Sequence, residues 1–221
     1  DLADKDFDPH VKRTRLRPLA TKAISVKIAF LVLTCLLVPC FFLVLTLNTS
    51  TIILAFGALA LMGVYPFMKR HTHFPQAVLG IAFSWGIPMA FSAGGGSLDT
   101  TMWLLLVANW AWVIAYDTEY AMVDKDDDIK LALKSTAIIF GKFSRLIIGV
   151  LQFFFLGVLT LLGKSHEFGL IYYLSIFSAG LCFLYQHLLL SKATRENCFK
   201  AFLNNHWVGF FIFLGICGNF L

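Results

Sequence analysis

Aspartate residues with the spacing of metal ligands are concentrated in two stretches, since ten of the 13 acidic residues fall within 1–8 and 117–128. At about 100° per residue of helix, each stretch would carry three aspartates within an arc of about 60°. These rows are Asp1, Asp4 and Asp8, and Asp117, Asp124 and Asp128. Like charges at such spacing repel, so each row requires a cation. Oxygen ligands suit Mg²⁺, which commonly bridges carboxylates to phosphates. The sequence therefore predicts Mg²⁺ shared between two rows over a diphosphate; the alternative is a pair of solvated acidic loops.

Basic residues lie beside both acidic rows. Arg13 and Arg17 follow the first row, and Lys69 and Arg70 close an apolar segment between the two rows. Arginine can bind a phosphate through two hydrogen bonds, whereas lysine offers a point charge. We therefore predict that these four side chains bind the diphosphate. The alternative for each is a topology signal or a contact with anionic lipid.

The segments that must position these residues are strongly apolar. The chain is 58% hydrophobic and 14% charged, which excludes an ordinary soluble domain and is typical of a helical membrane protein. A hydrocarbon core about 30 Å thick requires about 20 apolar residues per helix. We predict an all-α, polytopic transmembrane helical bundle with spans at 28–47, 51–67, 76–93, 101–117, 137–162, 168–190 and 205–221.

The basic residues also predict the orientation of the bundle. Seventeen of the 18 lysines and arginines fall in residues 1–27 and in alternate connections between spans. Cytoplasmic loops carry such an excess, so both aspartate rows are predicted at the cytoplasmic face. The net charge of +5 is then a topology signal, and we expect the lipid bilayer, not nucleic acid, as the partner.

Four segments resemble, in order, the motifs of a known family. Residues 1–19 and 116–136 are similar to the first and second aspartate motifs of the intramembrane aromatic prenyltransferases, the UbiA superfamily. Residues 65–76, which begin Tyr-Pro-Phe-Met-Lys-Arg, resemble a loop segment of the same family. Residues 83–91, which begin Phe-Ser-Trp-Gly-Ile-Pro, look most like the branch that uses 4-hydroxybenzoate.

The resemblance implies a Mg²⁺-dependent aromatic prenyltransferase in the bacterial inner membrane, with its site facing the cytoplasm. It would transfer a polyprenyl group from polyprenyl diphosphate to 4-hydroxybenzoate, ortho to the hydroxyl, in ubiquinone biosynthesis. The implied metal ligands are Asp4, Asp8, Asp124 and Asp128, supported by Asp1 and Asp117. Arg13, Arg17, Lys69 and Arg70 would neutralise the departing diphosphate. The four main aspartates and Arg70 are thus the implied catalytic residues, and Tyr65 and Tyr120 would stabilise the allylic cation.

The chain departs from the family pattern in three respects. The asparagine expected just before Asp1 is absent, and seven spans are predicted where the family has nine. We therefore expect residues 1–221 to form one membrane-embedded prenyltransferase domain that lacks its N-terminal part. Ala132 replaces a usual glycine, which we interpret as a change in packing.

Alternative functions remain open from the sequence. The acceptor could be naphthoate or homogentisate, and the aspartates could line the path of a divalent-cation transporter. A membrane scaffold without catalytic activity is a third reading, although it would not need two matching rows of aspartate. The sequence does not indicate which proteins, if any, bind this one.

Overall fold

The protein is built from helices. The structure, a computed structural model, describes residues 1–220. The α-helices are α1 (Val26–Leu45), α2 (Thr49–Val64), α3 (Met68–His71), α4 (Pro75–Ser84), α5 (Gly86–Ala93), α6 (Thr100–Lys130), α7 (Thr136–Phe140), α8 (Ser144–Ser165), α9 (Leu170–Leu190) and α10 (Arg195–Cys217). Short 3-10 helices occupy Asp8–His10, Tyr65–Phe67 and Gly141–Phe143. The predicted all-α fold is confirmed.

Polar side chains fix where four of the long helices begin. Ser25, Asn48, Asp99 and Thr194 each precede a helix and accept a hydrogen bond from the backbone N–H three residues further on. The first N–H groups of a helix have no partner within it, so these side-chain oxygens satisfy donors that would otherwise be left free. The starts of α1, α2, α6 and α10 are therefore encoded locally.

The seven predicted spans correspond to seven helical columns. Five are long and apolar enough to cross a membrane: 26–45, 49–71, 75–93, 136–165 and 170–190. The other two predicted spans belong to α6 and α10, which are longer than expected and begin or end in charged sequence. Residue 221, the last of the predicted seventh span, lies outside the described residues. Apolar side chains of α1 such as Phe30, Leu36 and Phe42 are exposed, as expected of a face in contact with lipid.

Helix α6 lies at the centre of the bundle, in contact with α4, α5, α7, α8 and α10. A buried hydrogen-bond network holds its rotation. Glu119 accepts from Asn205 Nδ2 at 2.9 Å and from Gln152 Nε2 at 3.3 Å. Trp112 Nε1 donates to Asn205 Oδ1 at 2.9 Å, and because an indole can only donate, the Asn205 amide must turn its nitrogen toward Glu119. Glu119 is about 140° around the helix from Asp124, so this network turns the aspartate row away from α8 and α10.

Helices α4 and α6 approach closely at Gly80. A Cβ atom at Gly80 would lie 2.7 Å from Trp110 Cδ1, which is closer than real side chains pack. The Trp110 indole donates a hydrogen bond to Ala77 O at 2.9 Å, so the N–H edge of the ring packs against α4. This contact positions the connection that carries Lys69 relative to the aspartates of α6.

Candidate active site

The first aspartate row does not lie on an α-helix, so that part of our prediction is wrong. Residues 1–25 form consecutive turns with one 3-10 helix at Asp8–His10. Pro9 has no backbone N–H, and a proline disfavours helical conformation in the residue before it, which prevents a regular helix here. One helical turn does form, since Asp8 N–H donates to Asp4 O at 2.9 Å. That turn still brings Asp4 and Asp8 to the same side.

Arg13 joins the N-terminal segment, which carries the first aspartate row, to Asp124 of the second row. Its NH2 group lies 2.7 Å from Asp124 Oδ2, and its Nε donates to both carboxylate oxygens at 3.2 and 3.3 Å. Asp124 is almost fully buried, with 5% of its side chain exposed. A two-pronged arginine–carboxylate pair in such surroundings is among the stronger ion pairs in proteins. Arg13 therefore holds the N-terminal segment against α6.

Two more arginines pair with the first row. Arg17 NH1 lies 3.1 Å from Asp1 Oδ1 and 3.2 Å from Asp8 Oδ2. Arg70 NH2 lies 3.6 Å from Asp4 Oδ1 and also donates to the Ala3 carbonyl. Asp8 is buried, Asp4 is half-buried and Asp1 is exposed. Three arginines thus form ion pairs with four carboxylates of the two predicted rows.

These side chains surround a cavity of about 270 Å³, here called the charged cavity. Its lining includes ten of the residues predicted from the sequence: Asp1, Asp4, Asp8, Arg13, Arg17, Tyr65, Lys69, Tyr120, Asp124 and Asp128. Two predicted residues do not line it. Arg70 lies at the edge, through Asp4, and Asp117 lies two helical turns before Asp124, about 10 Å along the axis. Of the predicted residues, Asp117 and Arg70 therefore gain the least support.

Lys69 and Asp128 are the two charged residues of the cavity lining that form no ion pair with another described residue. Lys69 makes no ion pair within 4 Å in the described part of the chain. Asp128 is 1% exposed, and its Oδ2 has no hydrogen-bond partner among residues 1–220. Burial raises the pKa of this carboxyl to about 6, opposed by Lys69 and reinforced by Asp124 and Asp127. Asp128 lies beyond the predicted span 101–117, and a buried carboxylate oxygen without a protein partner fits the role of a cation ligand.

The donor set of the charged cavity fits Mg²⁺ when a phosphate completes the coordination. Among the described residues, no three acidic, histidine or cysteine side chains are grouped closely enough to hold an ion by themselves. Mg²⁺ usually takes one or two protein carboxylates together with waters and substrate phosphates, so a closed protein cage is not required. Five lining carboxylates face three lining cations, a net charge of −2. A diphosphate could enter such a cavity only with cations.

The connection after α6 closes one side of the charged cavity. Ala132 has a left-handed backbone with φ of +53°, and two residues later the Lys134 N–H donates to Lys69 O at 3.0 Å. The usual glycine at this position is therefore explained by backbone conformation, because glycine alone adopts positive φ without strain. Our interpretation of Ala132 as a packing change is wrong.

Aromatic rings complete the lining. The guanidinium carbon of Arg13 lies 4.3 Å from the centre of the Tyr120 ring, and Tyr120 packs at 4.7 Å on Phe202 of α10. The ring is thus already placed against a cation, which is the arrangement that electrostatic attraction to an aromatic face requires. Tyr65 also lines the charged cavity, from the connection after α2 that carries Lys69.

Asp127 and Arg195 were not singled out in the sequence analysis. Arg195 NH1 lies 2.9 Å from Asp127 Oδ2, and its NH2 lies 3.1 Å from Oδ1. Asp127 also accepts from the Lys12 N–H at 3.4 Å. A signal for this pair was available, since Arg195 is the first residue of α10. A helix N-terminus disfavours positive charge, so an arginine there indicates a nearby anion.

A family model described as the UbiA prenyltransferase family matches residues 1–215. The chain is 52% identical over 220 residues to a 4-hydroxybenzoate octaprenyltransferase of an Enterobacter species, covering 100% of this chain and 76% of that protein. It is 53% identical over 216 residues to the protein of the same description in Chromohalobacter salexigens, covering 98% and 72%.

Solved structures give the same result for the fold. The apo structure of a UbiA homologue from Aeropyrum pernix K1 matches with a TM-score of 0.87 and 25% identity, covering 100% of this chain and 82% of the other. A digeranylgeranylglyceryl phosphate synthase matches with a TM-score of 0.67 and 20% identity, covering 98% and 78%. At that identity the second match shows the fold alone.

Proposed function

Because this chain belongs to the UbiA prenyltransferase family, we propose that it transfers a polyprenyl group from polyprenyl diphosphate to the ring of 4-hydroxybenzoate, ortho to the hydroxyl. This is a step of ubiquinone biosynthesis. The descriptions of the relatives at 51–53% identity support the acceptor. The observation that carries the proposal is the charged cavity, where aspartates of both rows surround one space that includes a buried, unpartnered Asp128 oxygen.

The residues of the charged cavity divide the work of binding the donor. Asp4, Asp8, Asp124 and Asp128 would hold Mg²⁺, with Asp1 at the rim. When bound, Mg²⁺ neutralises negative charge on the diphosphate, which makes it a better leaving group. Lys69 is placed to bind a phosphate oxygen without breaking any existing pair, whereas Arg13 and Arg17 must first leave their carboxylates.

The same residues lower the barrier to ionisation of the donor. As the C–O bond to the diphosphate breaks, negative charge grows on the phosphate oxygens, and fixed cations stabilise it more than they stabilise the intact donor. Tyr120 and Tyr65 would face the positive allylic carbon that remains. The acceptor ring attacks this carbon and then loses the proton from the same ring position, so the products are the prenylated acid, diphosphate and a proton.

The distribution of basic residues supports the proposed location of the charged cavity at the cytoplasmic face. Residues 1–25, the 65–74 connection, the 118–144 segment and the start of α10 meet at one end of the bundle, through the Arg13, Lys134 and Arg195 contacts. The excess of basic residues there supports a cytoplasmic orientation in the inner membrane. We propose residues 1–221 as a single membrane-embedded prenyltransferase domain.

Asp124→Asn tests the proposed function, with Asp126→Asn as the matched control. Asp126 is two residues away on the same helix, but its side chain is 73% exposed and points away from the cavity. Purified protein in lipid nanodiscs is supplied with radiolabelled 4-hydroxybenzoate, a polyprenyl diphosphate and Mg²⁺. We expect Asp124→Asn to lose about 100-fold or more in kcat/KM, as for loss of a group that stabilises the transition state. Asp126→Asn should lose less than about twofold.

The same assay separates the alternatives. Unlabelled naphthoate or homogentisate that competes with 4-hydroxybenzoate and is itself prenylated faster would reassign the acceptor. Full turnover by Asp124→Asn, with unchanged thermal unfolding, would refute the proposed role of the charged cavity. Uptake of a divalent cation into sealed vesicles that Asp124→Asn abolishes would favour the transporter.

A further inference from the structure

Three parts of the chain that are remote in sequence meet at Asp127. Its carboxylate receives both arms of the Arg195 guanidinium, at 2.9 and 3.1 Å, and the Lys12 N–H at 3.4 Å. We call this group, Lys12, Asp127 and Arg195, the Asp127 bridge. It does not line the charged cavity. The Asp127 side chain is nonetheless only 12% exposed, because the bridge covers it.

The position of Arg195 is unfavourable for its own helix. It is the first residue of α10, where the partial positive charge of the helix N-terminus repels a cation. Thr194 already caps this end through the Asn197 N–H, so Arg195 contributes nothing to capping. An arginine that works against its helix must be explained by what it contacts, which is Asp127 and, at 3.5 Å, Asp126.

The Asp127 bridge fixes the position of Arg13, the residue after Lys12. Arg13 follows it directly and places its guanidinium on Asp124, one helical turn before Asp127 and Asp128. The 11–14 segment is thus fixed to α6 by a backbone bond at Lys12 and a side-chain pair at Arg13. Thr14 extends the fixed segment, since its buried hydroxyl donates to Asp8 O at 3.0 Å. The position of Lys12 along α6 therefore determines where Arg13 and the turn at Asp8 lie relative to that helix.

We propose that Arg195 is a positioning residue of the prenyl-transfer site: through Asp127 and the Lys12 N–H, it holds the Arg13 segment in register with α6. The structural part of this inference is independent of the proposed function, whereas its effect on the kinetics of prenyl transfer rests on that function. Arg195 does not line the charged cavity, so its removal should weaken donor binding more than it slows the chemical step.

The test compares Arg195→Ala with Lys200→Ala in nanodiscs. Lys200 is on the same helix and forms an exposed ion pair with Glu196, so the control removes an equal charge and one ion pair, where Arg195→Ala removes two. Hydrogen–deuterium exchange of residues 9–16 is measured by mass spectrometry in the absence of substrate. Arg195→Ala should exchange about two- to fivefold faster in this segment, the range for a partly exposed ion pair. Arg195→Lys should be intermediate, because lysine keeps the charge but not the fork.

Steady-state kinetics give the second readout. We expect Arg195→Ala to raise the KM for polyprenyl diphosphate about two- to fivefold with a smaller change in kcat, and Lys200→Ala to change neither. Unchanged exchange at 9–16 in Arg195→Ala would overturn the proposal, whatever the activity. Faster exchange throughout the bundle, including residues 150–160, would also overturn it. If wild-type protein shows no prenyl transfer while exchange at 9–16 responds to Arg195, the proposed function fails and the bridge stands.

Discussion

Arg13→Gln offers the sharpest test of how the charged cavity receives its ligands. Without a donor, Arg13 occupies Asp124 through contacts of 2.7, 3.2 and 3.3 Å. A cation that uses Asp124 must therefore displace a guanidinium. That guanidinium finds a new anion only if the diphosphate is also present. We expect Mg²⁺ to bind wild-type protein weakly by itself and much more tightly together with pyrophosphate.

The structure sets the size of the effect. A hydrogen bond to a charged group contributes about 1.5–3 kcal/mol, and Asp124 is too buried for water to replace it. Because this free energy couples the two ligands, it corresponds to about a 10- to 150-fold change in affinity. Arg13→Gln should raise the affinity for Mg²⁺ alone by about this factor and reduce the enhancement by pyrophosphate correspondingly.

Isothermal titration calorimetry of the protein in nanodiscs measures both quantities, after subtraction of the association of Mg²⁺ with pyrophosphate in buffer. Arg15→Gln is the matched control, because Arg15 is exposed and makes no ion pair in the described residues. It should shift Mg²⁺ affinity less than about twofold. If Arg13→Gln binds Mg²⁺ alone no more tightly than Arg15→Gln, Arg13 does not compete with the cation and the reasoning fails.

Three further substitutions test neighbouring features. Lys69→Gln should lower kcat/KM for the donor about 10- to 100-fold, since it removes a charged hydrogen bond to phosphate; an unchanged value would exclude phosphate binding by this residue. Ala132→Gly should raise stability by about 1 kcal/mol in thermal unfolding, whereas Ala90→Gly inside α5 should lower it by about as much. Gly80→Ala should cost about 1–3 kcal/mol because its Cβ would overlap an indole of α6, while Gly63→Ala, with open space around it, should not.

The helices and the aspartate row of α6 could be predicted from the sequence because their signals are local. An apolar run long enough to cross a bilayer has few alternatives to a helix, since its backbone groups must be satisfied within the segment. The row of Asp124 and Asp128 depends only on helical periodicity, and both side chains are buried on one side of the cavity. The same reasoning placed Asp4 and Asp8 on one side, which a single helical turn achieves, but it wrongly predicted a regular helix, because Pro9 disfavours helical conformation in the residue before it.

The partners of the charged side chains could not be predicted. Which arginine pairs with which carboxylate depends on contacts across more than 100 residues, as for Arg13 and Asp124. Composition made Arg195 one of many basic residues near the membrane, and only its place at a helix start distinguishes it. Ala132 was misread for a related reason, because a sequence shows a missing glycine but not the backbone angle that required it.

The arrangement of carboxylates along the bundle separates an enzyme from a cation transporter. A transport path needs successive ligands through the membrane, commonly near its midplane. Along α6 within the described residues, the only acidic side chains between the charged cavity and Asp99, at the opposite end of the helix, are Asp117 and Glu119. Glu119 is held by Asn205 and Gln152 on the opposite face of that helix, so a cation at Asp124 would not reach it. Asp117 is on the same face as Asp124 but about 10 Å further along the axis, and no other carboxylate of α6 follows on that face before Asp99, so the described residues offer no series of closely spaced ligands. A cation that enters the charged cavity therefore stays at the end of the bundle, where a diphosphate can share it while the prenyl chain lies in the apolar region.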